Sequence, residues 1–193
     1  FQTYFNLIKK TEDDPKYEKK KGIALLKGYV ELHDQEKKKK VELITEHYLS
    51  HVTRKIDGYA KAMIVTRSRL HAVRYKLAFD QYIKEHKYPI KTLVAFSGTV
   101  ADGGKEYTEA GMNSLRSDKL TADTFKLPEF KILIVANKFQ TGFDQPLLHT
   151  MYVDKKLGGV MAVQTLSRLN RTTKGKEDTM VLDFANYEEE IQK

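Results

Sequence analysis

Ile132-Leu133-Ile134-Val135-Ala136 is a run of five apolar residues with no polar alternation. A strand with one wet face alternates, whereas a strand covered on both faces does not, so the run reads as a buried parallel strand. Two stretches before it have the same texture, Ala62-Met63-Ile64-Val65-Thr66 and Thr92-Leu93-Val94-Ala95-Phe96. Two more follow, Thr150-Met151-Tyr152-Val153-Asp154 and Thr179-Met180-Val181-Leu182-Asp183-Phe184. Helical spacing over 69–85 fills the first gap, and a polar, glycine-containing loop follows Ser97-Gly98. Strands alternating with helices predict an α/β domain with a mostly parallel sheet flanked by helices. Residues 1–58 read as helical, with one proline (Pro15) near a helix start and apolar positions Ile23, Leu26, Val30, Val41, Ile44 and Tyr48. The expected division is a helical segment over 1–58 and the sheet domain over 59–193.

The 193 residues, 40% hydrophobic and 31% charged, suffice for one cored domain. Cysteine is absent, which excludes disulfides and thiolate metal sites and fits a reducing, cytoplasmic setting. No uncharged apolar run approaches the roughly 18 residues of a membrane span, and no signal peptide is visible. Because the chain begins at Phe1, an excised fragment is expected. Lys37–Lys40 reads as a solvated helix face. His47 and His51 have a spacing that can hold a metal, but Glu46 precedes the first and no third ligand suggests itself, so none is expected there.

Net charge is +8, and its placement says more than its size. The segment 160–176 holds Arg168, Arg171, Lys174 and Lys176 and no acid. Read as one helix, it aligns Gln164, Arg168 and Arg171 on a stripe opposite Ala162, Leu166 and Leu169. Two guanidiniums held close without an acid favour a shared anion, and their planar forks match phosphate oxygens.

In parallel sheets ligands sit beyond the carboxyl ends of the strands, and polar corners gather there. They are Thr66-Arg67-Ser68-Arg69, Ser97-Gly98-Thr99, the stretch Asn137-Lys138-Phe139-Gln140-Thr141-Gly142-Phe143-Asp144, and Asp154-Lys155-Lys156. The arginine helix is expected at the same lip. The chain has no GxxxxGK[ST] phosphate loop and no Asp-Glu pair after a strand suited to Mg²⁺. It cannot by itself cradle and cleave a nucleoside triphosphate, but it could present arginines to one held elsewhere.

The set resembles the second motor domain of superfamily 2 helicases and translocases, and within it the R subunit of type I restriction–modification enzymes. Gln164-Thr165-Leu166-Ser167-Arg168-Leu169-Asn170-Arg171 is similar to helicase motif VI. Thr141-Gly142-Phe143-Asp144-Gln145-Pro146 is similar to motif V as those subunits write it, and 61–69 to their motif IV region. The likeness is dense from Lys61 to Asn186.

The resemblance implies a RecA-like domain that completes an ATP site with a first RecA-like domain, which holds most of the ATP and Mg²⁺. Arg168 and Arg171 would face the triphosphate, Arg171 as the γ-phosphate finger. Gln164 would set the cleft network, and Gly142 with Asp144 would contact the ribose side. Arg67, Ser97, Gly98, Asn137 and Lys138 would touch the tracked DNA strand. The implied partners are double-stranded DNA, a nuclease domain of the same subunit, and modification and specificity subunits, with no membrane. Two departures stand out: Ala136 replaces the usual threonine at the third strand's end, and Thr141 replaces the arginine before the motif V glycine. The rival readings are another superfamily 2 motor and a non-catalytic α/β module that binds nucleic acid or a partner. A small-molecule enzyme lacks a visible nucleophile–base pair.

Overall fold

A computed structural model describes residues 34–139 and 143–185. The chain divides into two compact units, Phe1–Lys40 and Val41–Lys193. Of the first, the described part is the opening of helix α1 (Asp34–His47), where Glu36 and Lys40 pair at 3.1 Å one turn apart.

In the second unit α1 ends in a π-helical turn, Tyr48–Val52, and a 3₁₀ turn at Ile56–Gly58 leads into β1 (Lys61–Thr66). There follow α2 (Arg69–His86), β2 (Lys91–Ala95), β3 (Thr99–Asp102), β4 (Lys105–Thr108), α3 (Glu109–Met112) and α4 (Thr121–Thr124). β5 (Phe130–Val135), β6 (Leu148–Asp154), α5 (Gly159–Leu166) and β7 (Met180–Asp183) complete the described order. The main sheet runs β2-β5-β1-β6-β7 with every pairing parallel. All five expected strands are present, and α2 covers the helix expected over 69–85. No helix among the described residues is long and apolar enough to cross a membrane.

The missing alternation has a direct cause. Ala62, Ile64, Val94, Ile132, Ile134 and Tyr152 enter one core with Val41, Ile44, Tyr48 and Val52 and with Ala72, Tyr75 and Phe79 of α2. Their neighbours Met63, Val65, Leu93, Leu133, Val135, Met151 and Val153 enter a second core with Phe125, Phe143 and Leu169. Both faces of every central strand are dry, so both sets of positions are apolar. Residues 41–56, on the helical side of the expected boundary, thus contribute to the first core. His47 lies beside it, its Nδ1 2.8 Å from the Tyr152 hydroxyl and its ring stacked on His51 at 4.9 Å.

Two readings need correction. The loop expected after Ser97-Gly98 contains an antiparallel hairpin, β3 with β4, closed by Gly103 and Gly104 at φ +58° and +75°. A Gly-Gly turn supplies the left-handed backbone such a hairpin needs. The helix read over 160–176 stops at Leu166, continues as a 3₁₀ turn over Ser167–Asn170, and is extended at Arg171 (φ −73°, ψ 126°). There the Ser167 hydroxyl donates to the Gln164 carbonyl at 2.9 Å and Arg168 Nε to the same oxygen at 3.3 Å. Leu169 turns into the second core, 2% exposed. The stripe of Gln164, Arg168 and Arg171 therefore does not exist beyond Arg168.

At the amino end of β1, the buried Lys61 ammonium donates to the carbonyls of Phe130 at 2.6 Å and Leu127 at 2.9 Å. Burial, aided by Lys131 and opposed by Glu129, pulls its pKa down to about 8. Between pH 8 and the ordinary value of 10.5 the unfolded chain binds this proton more tightly, so stability rises with pH across that window. Relative to Lys61→Met, the wild-type melting temperature is expected to climb from pH 8 to 10.5. Thermal melts at stepped pH check this, and a difference flat with pH would contradict it.

Candidate functional site

At the carboxyl end of the sheet, the corner after β2 turns through Gly98 at φ +76°, where a Cβ would lie 3.1 Å from Arg69 Nη1. That nitrogen donates to the Ser97 carbonyl at 2.9 Å. The corner is fixed from beneath by Glu109, fully buried, whose Oε2 accepts the Phe96 N–H at 2.7 Å. The other oxygen, Oε1, accepts from the Thr121 hydroxyl at 2.6 Å and from Lys138 Nζ at 2.8 Å.

Asn137, after β5, adopts φ +61° and accepts from Lys155 Nζ at 2.7 Å, joining the β5 and β6 corners. Burial lowers the Lys155 pKa. Arg67 lies half-buried after β1, and the Thr66 hydroxyl donates to the Val135 carbonyl at 3.0 Å, tying β1 to β5 there. Ser97, Gly98, Arg67 and Asn137 thus share one sheet end, as expected. Lys138 is there too, with one N–H given to the buried Glu109 carboxylate. Sequence reasoning put Arg69 and Lys155 in the strand-end corners without assigning either a contact, and passed over Glu109. The Arg-Ser-Arg spacing was a signal for Arg69, while Glu109 meets Lys138 only through the fold.

The arginine pair lies elsewhere. Arg168 Nη1 donates to the Phe143 carbonyl at 3.3 Å. Arg171 Nε stands 3.2 Å from Asp144 Oδ1, with side chains 53% and 68% exposed. Lys176 Nζ donates to the carbonyls of Leu169 (2.6 Å), Arg171 (2.7 Å) and Pro146 (3.2 Å). Pro146 leads into β6, and the next carbonyl, Leu147, accepts the Lys61 N–H at the amino end of β1. Arg171 therefore sits toward the amino ends of the strands, because α5 runs back across the sheet after β6. For Arg171 this overturns the expectation of a shared lip with the strand-end corners.

Arg171 also has an acid near it, Asp144, which no count within 160–176 could show. Lys176, counted in the basic patch, is turned inward, and burial lowers its pKa. Gln164 is exposed on α5, and Gly142 lies outside the described residues. The segment leading to β7 is tied down by Asp178, which accepts from Lys55 at 2.7 Å and pairs with His149 Nε2 at 2.9 Å. Those two hydrogen bonds hold its pKa down to about 2.

The family described as type I restriction enzyme subunit R domain 3 matches residues 1–186. The chain belongs to that family. It is 32% identical over 163 residues to the Methanocaldococcus jannaschii protein named for the MjaIXP endonuclease subunit of a type I restriction enzyme, a match covering 78% of this chain and 15% of that protein. It is 28% identical over 164 residues to the type I restriction enzyme SauMRSORF196P endonuclease subunit of Staphylococcus aureus, covering 70% of this chain and 18% of the relative. The chain thus spans under a fifth of these relatives' length. In fold it is similar to a fragment assigned as the HsdR subunit of a type I restriction enzyme from Vibrio vulnificus YJ016. The TM-score is 0.54 at 18% identity, over 78% of this chain and 28% of that one. The expected α/β, RecA-like class stands.

Glu109 and Asp144 differ in what their loss should do. Glu109→Ala strands a buried N–H, a hydroxyl and an ammonium and is expected to cost about 3–5 kcal/mol of stability. Asp144→Ala breaks only an exposed pair and should cost at most about 1 kcal/mol. Urea unfolding of both variants measures the contrast, and equal costs would refute it.

Proposed function

We propose that this domain is the second motor domain of an ATP-dependent DNA translocase within a type I restriction enzyme R subunit. Its share of the work is to bring Arg168 and Arg171 to an ATP site held mainly by a first motor domain. The observation that carries the reading is the state of Arg171. Its guanidinium is half exposed beyond a braced backbone and held by one exposed carboxylate at 3.2 Å. Such a surface pair contributes roughly 0–1 kcal/mol, so triphosphate oxygens can displace it. Asp144 is then the counter-ion that parks the arginine in the open form and is freed, when the cleft closes, to face the ribose side.

No group of three His, Cys, Asp or Glu among the described residues is arranged to hold a metal. The lack of a phosphate loop in this sequence supports assigning the phosphate cradle, and with it Mg²⁺, to the first motor domain. ATP bound between two such domains would close them, and hydrolysis would let them reopen, advancing the subunit along duplex DNA. At the opposite sheet end, Ser97, Gly98, Asn137 and Arg67 would hold backbone phosphates of the tracked strand, with Arg69 bracing the Ser97-Gly98 turn. Cleavage would belong to a nuclease domain of the same subunit, and target choice to the modification and specificity subunits.

In the subunit that contains this domain, Arg171→Ala is expected to cut ATP turnover by about 10³-fold or more. Duplex DNA affinity should stay within about twofold, since phosphate contacts on DNA are made at the other edge. Steady-state ATPase and DNA titrations test both halves. Weakened DNA binding with turnover intact would instead identify a non-catalytic nucleic-acid-binding module. This chain alone should show no ATP turnover.

A further inference from the structure

The Lys176 ammonium has three N–H donors, and three carbonyls meet it, those of Leu169, Arg171 and Pro146. No donor remains for a phosphate. The three oxygens come from parts of the chain with different duties. Leu169 is sunk in the second core, Pro146 is on the approach to β6, and Arg171 is the first extended residue after the 3₁₀ turn. The backbone of Arg171 is thus held between core and sheet by a single side chain, while its own guanidinium stays exposed. Lys176 reaches back because Gly175 turns at φ +78° against Asp57, where a Cβ would come within 3.0 Å of Oδ2.

We propose that Lys176 is a positioning residue for Arg171, fixing the backbone from which the guanidinium reaches the γ-phosphate. The inference rests on Arg171 being that guanidinium. An ammonium bridging three backbone oxygens sets the direction in which the Arg171 side chain leaves the loop. A misplacement of about 1 Å at a reacting group can cost on the order of a hundredfold in rate.

The test is a double-mutant cycle on ATP turnover in the full subunit, with duplex DNA present, using Arg171→Ala, Lys176→Met and both together. Lys176→Met is expected to lower kcat about ten- to hundredfold with KM within about threefold. The double variant should be no slower than Arg171→Ala alone, because Lys176 then has nothing left to position. Where Lys176→Met does not yield soluble subunit, Lys176→Gln takes its place in the same cycle. Wild-type kcat in the Lys176 variant, a change confined to KM, or a double variant slowed by the product of the single effects would each overturn the proposal. An Arg171→Ala subunit with normal turnover would remove the finger reading itself and this inference with it. That pattern is distinct from a silent Lys176 variant beside a crippled Arg171 variant.

Discussion

The central strands of the parallel sheet are dry on both faces, and this double burial constrains everything else in the domain. Residues 62 to 65 alternate between two apolar cores, and so do 132 to 135 and 151 to 153. A polar group placed on either face would lose its water and need a partner. The few that occur near strand ends have one: Thr66 on Val135, Asp154 under the Tyr75 hydroxyl, Thr150 beside His149. Chemistry is therefore driven to the two ends of the sheet. The carboxyl end carries left-handed corners with cations around them, and the amino end carries the arginine loop. A domain that, as proposed, holds one polyanion while reaching toward another would have both ends available.

β2 is an edge strand, and its protection doubles as support for the carboxyl end. Asn113 accepts the Val94 N–H at 2.9 Å and donates back to its carbonyl at 2.7 Å, as a paired strand would. Glu109, four residues earlier, takes the next outward N–H, that of Phe96. Two side chains thus close a stretch of edge that would otherwise invite another strand. Because Glu109 also holds Lys138, the β2 and β5 corners share one buried carboxylate and cannot move independently. The hairpin β3–β4 is bound to α2 by the bidentate Arg74–Asp102 pair and leads directly into α3, so it delivers Glu109 to this place.

How much of this was legible in the sequence follows from the range of each interaction. Unbroken apolar runs are the imprint of two covered faces, so the strands and α2 could be read locally. The turn at Gly103-Gly104 was equally local and marked the hairpin, although its polar surroundings read as a loop. The end of α5 was not legible, because what stops the helix is the pull of Leu169 into a core built by distant strands. The partners of the cations were hidden for the same reason. Asp144 is 27 residues before Arg171, and Glu109 is 29 residues before Lys138. Charge counted along a segment cannot show that one member neutralises a remote acid and another caps carbonyls. Residue types at the site were readable, whereas their pairing and the end of the sheet they occupy required the fold.

The contrast between Lys176 and Asp144 gives the arginine loop its character. Lys176 acts on backbone, is half-buried, and satisfies three oxygens at once, so releasing it would take a donor from the part-buried Leu169 and Pro146 carbonyls. Asp144 acts on a side chain, in water, at 3.2 Å, where screening by salt and the entropy of two flexible groups leave little net attraction. The loop is therefore stiff where it is anchored and loosely held where it is charged. A guanidinium on such a mount can exchange one carboxylate for phosphate oxygens without rebuilding the domain around it. On the proposed reading it would reach them with little reorganisation left to do, which is what electrostatic stabilisation of developing charge requires.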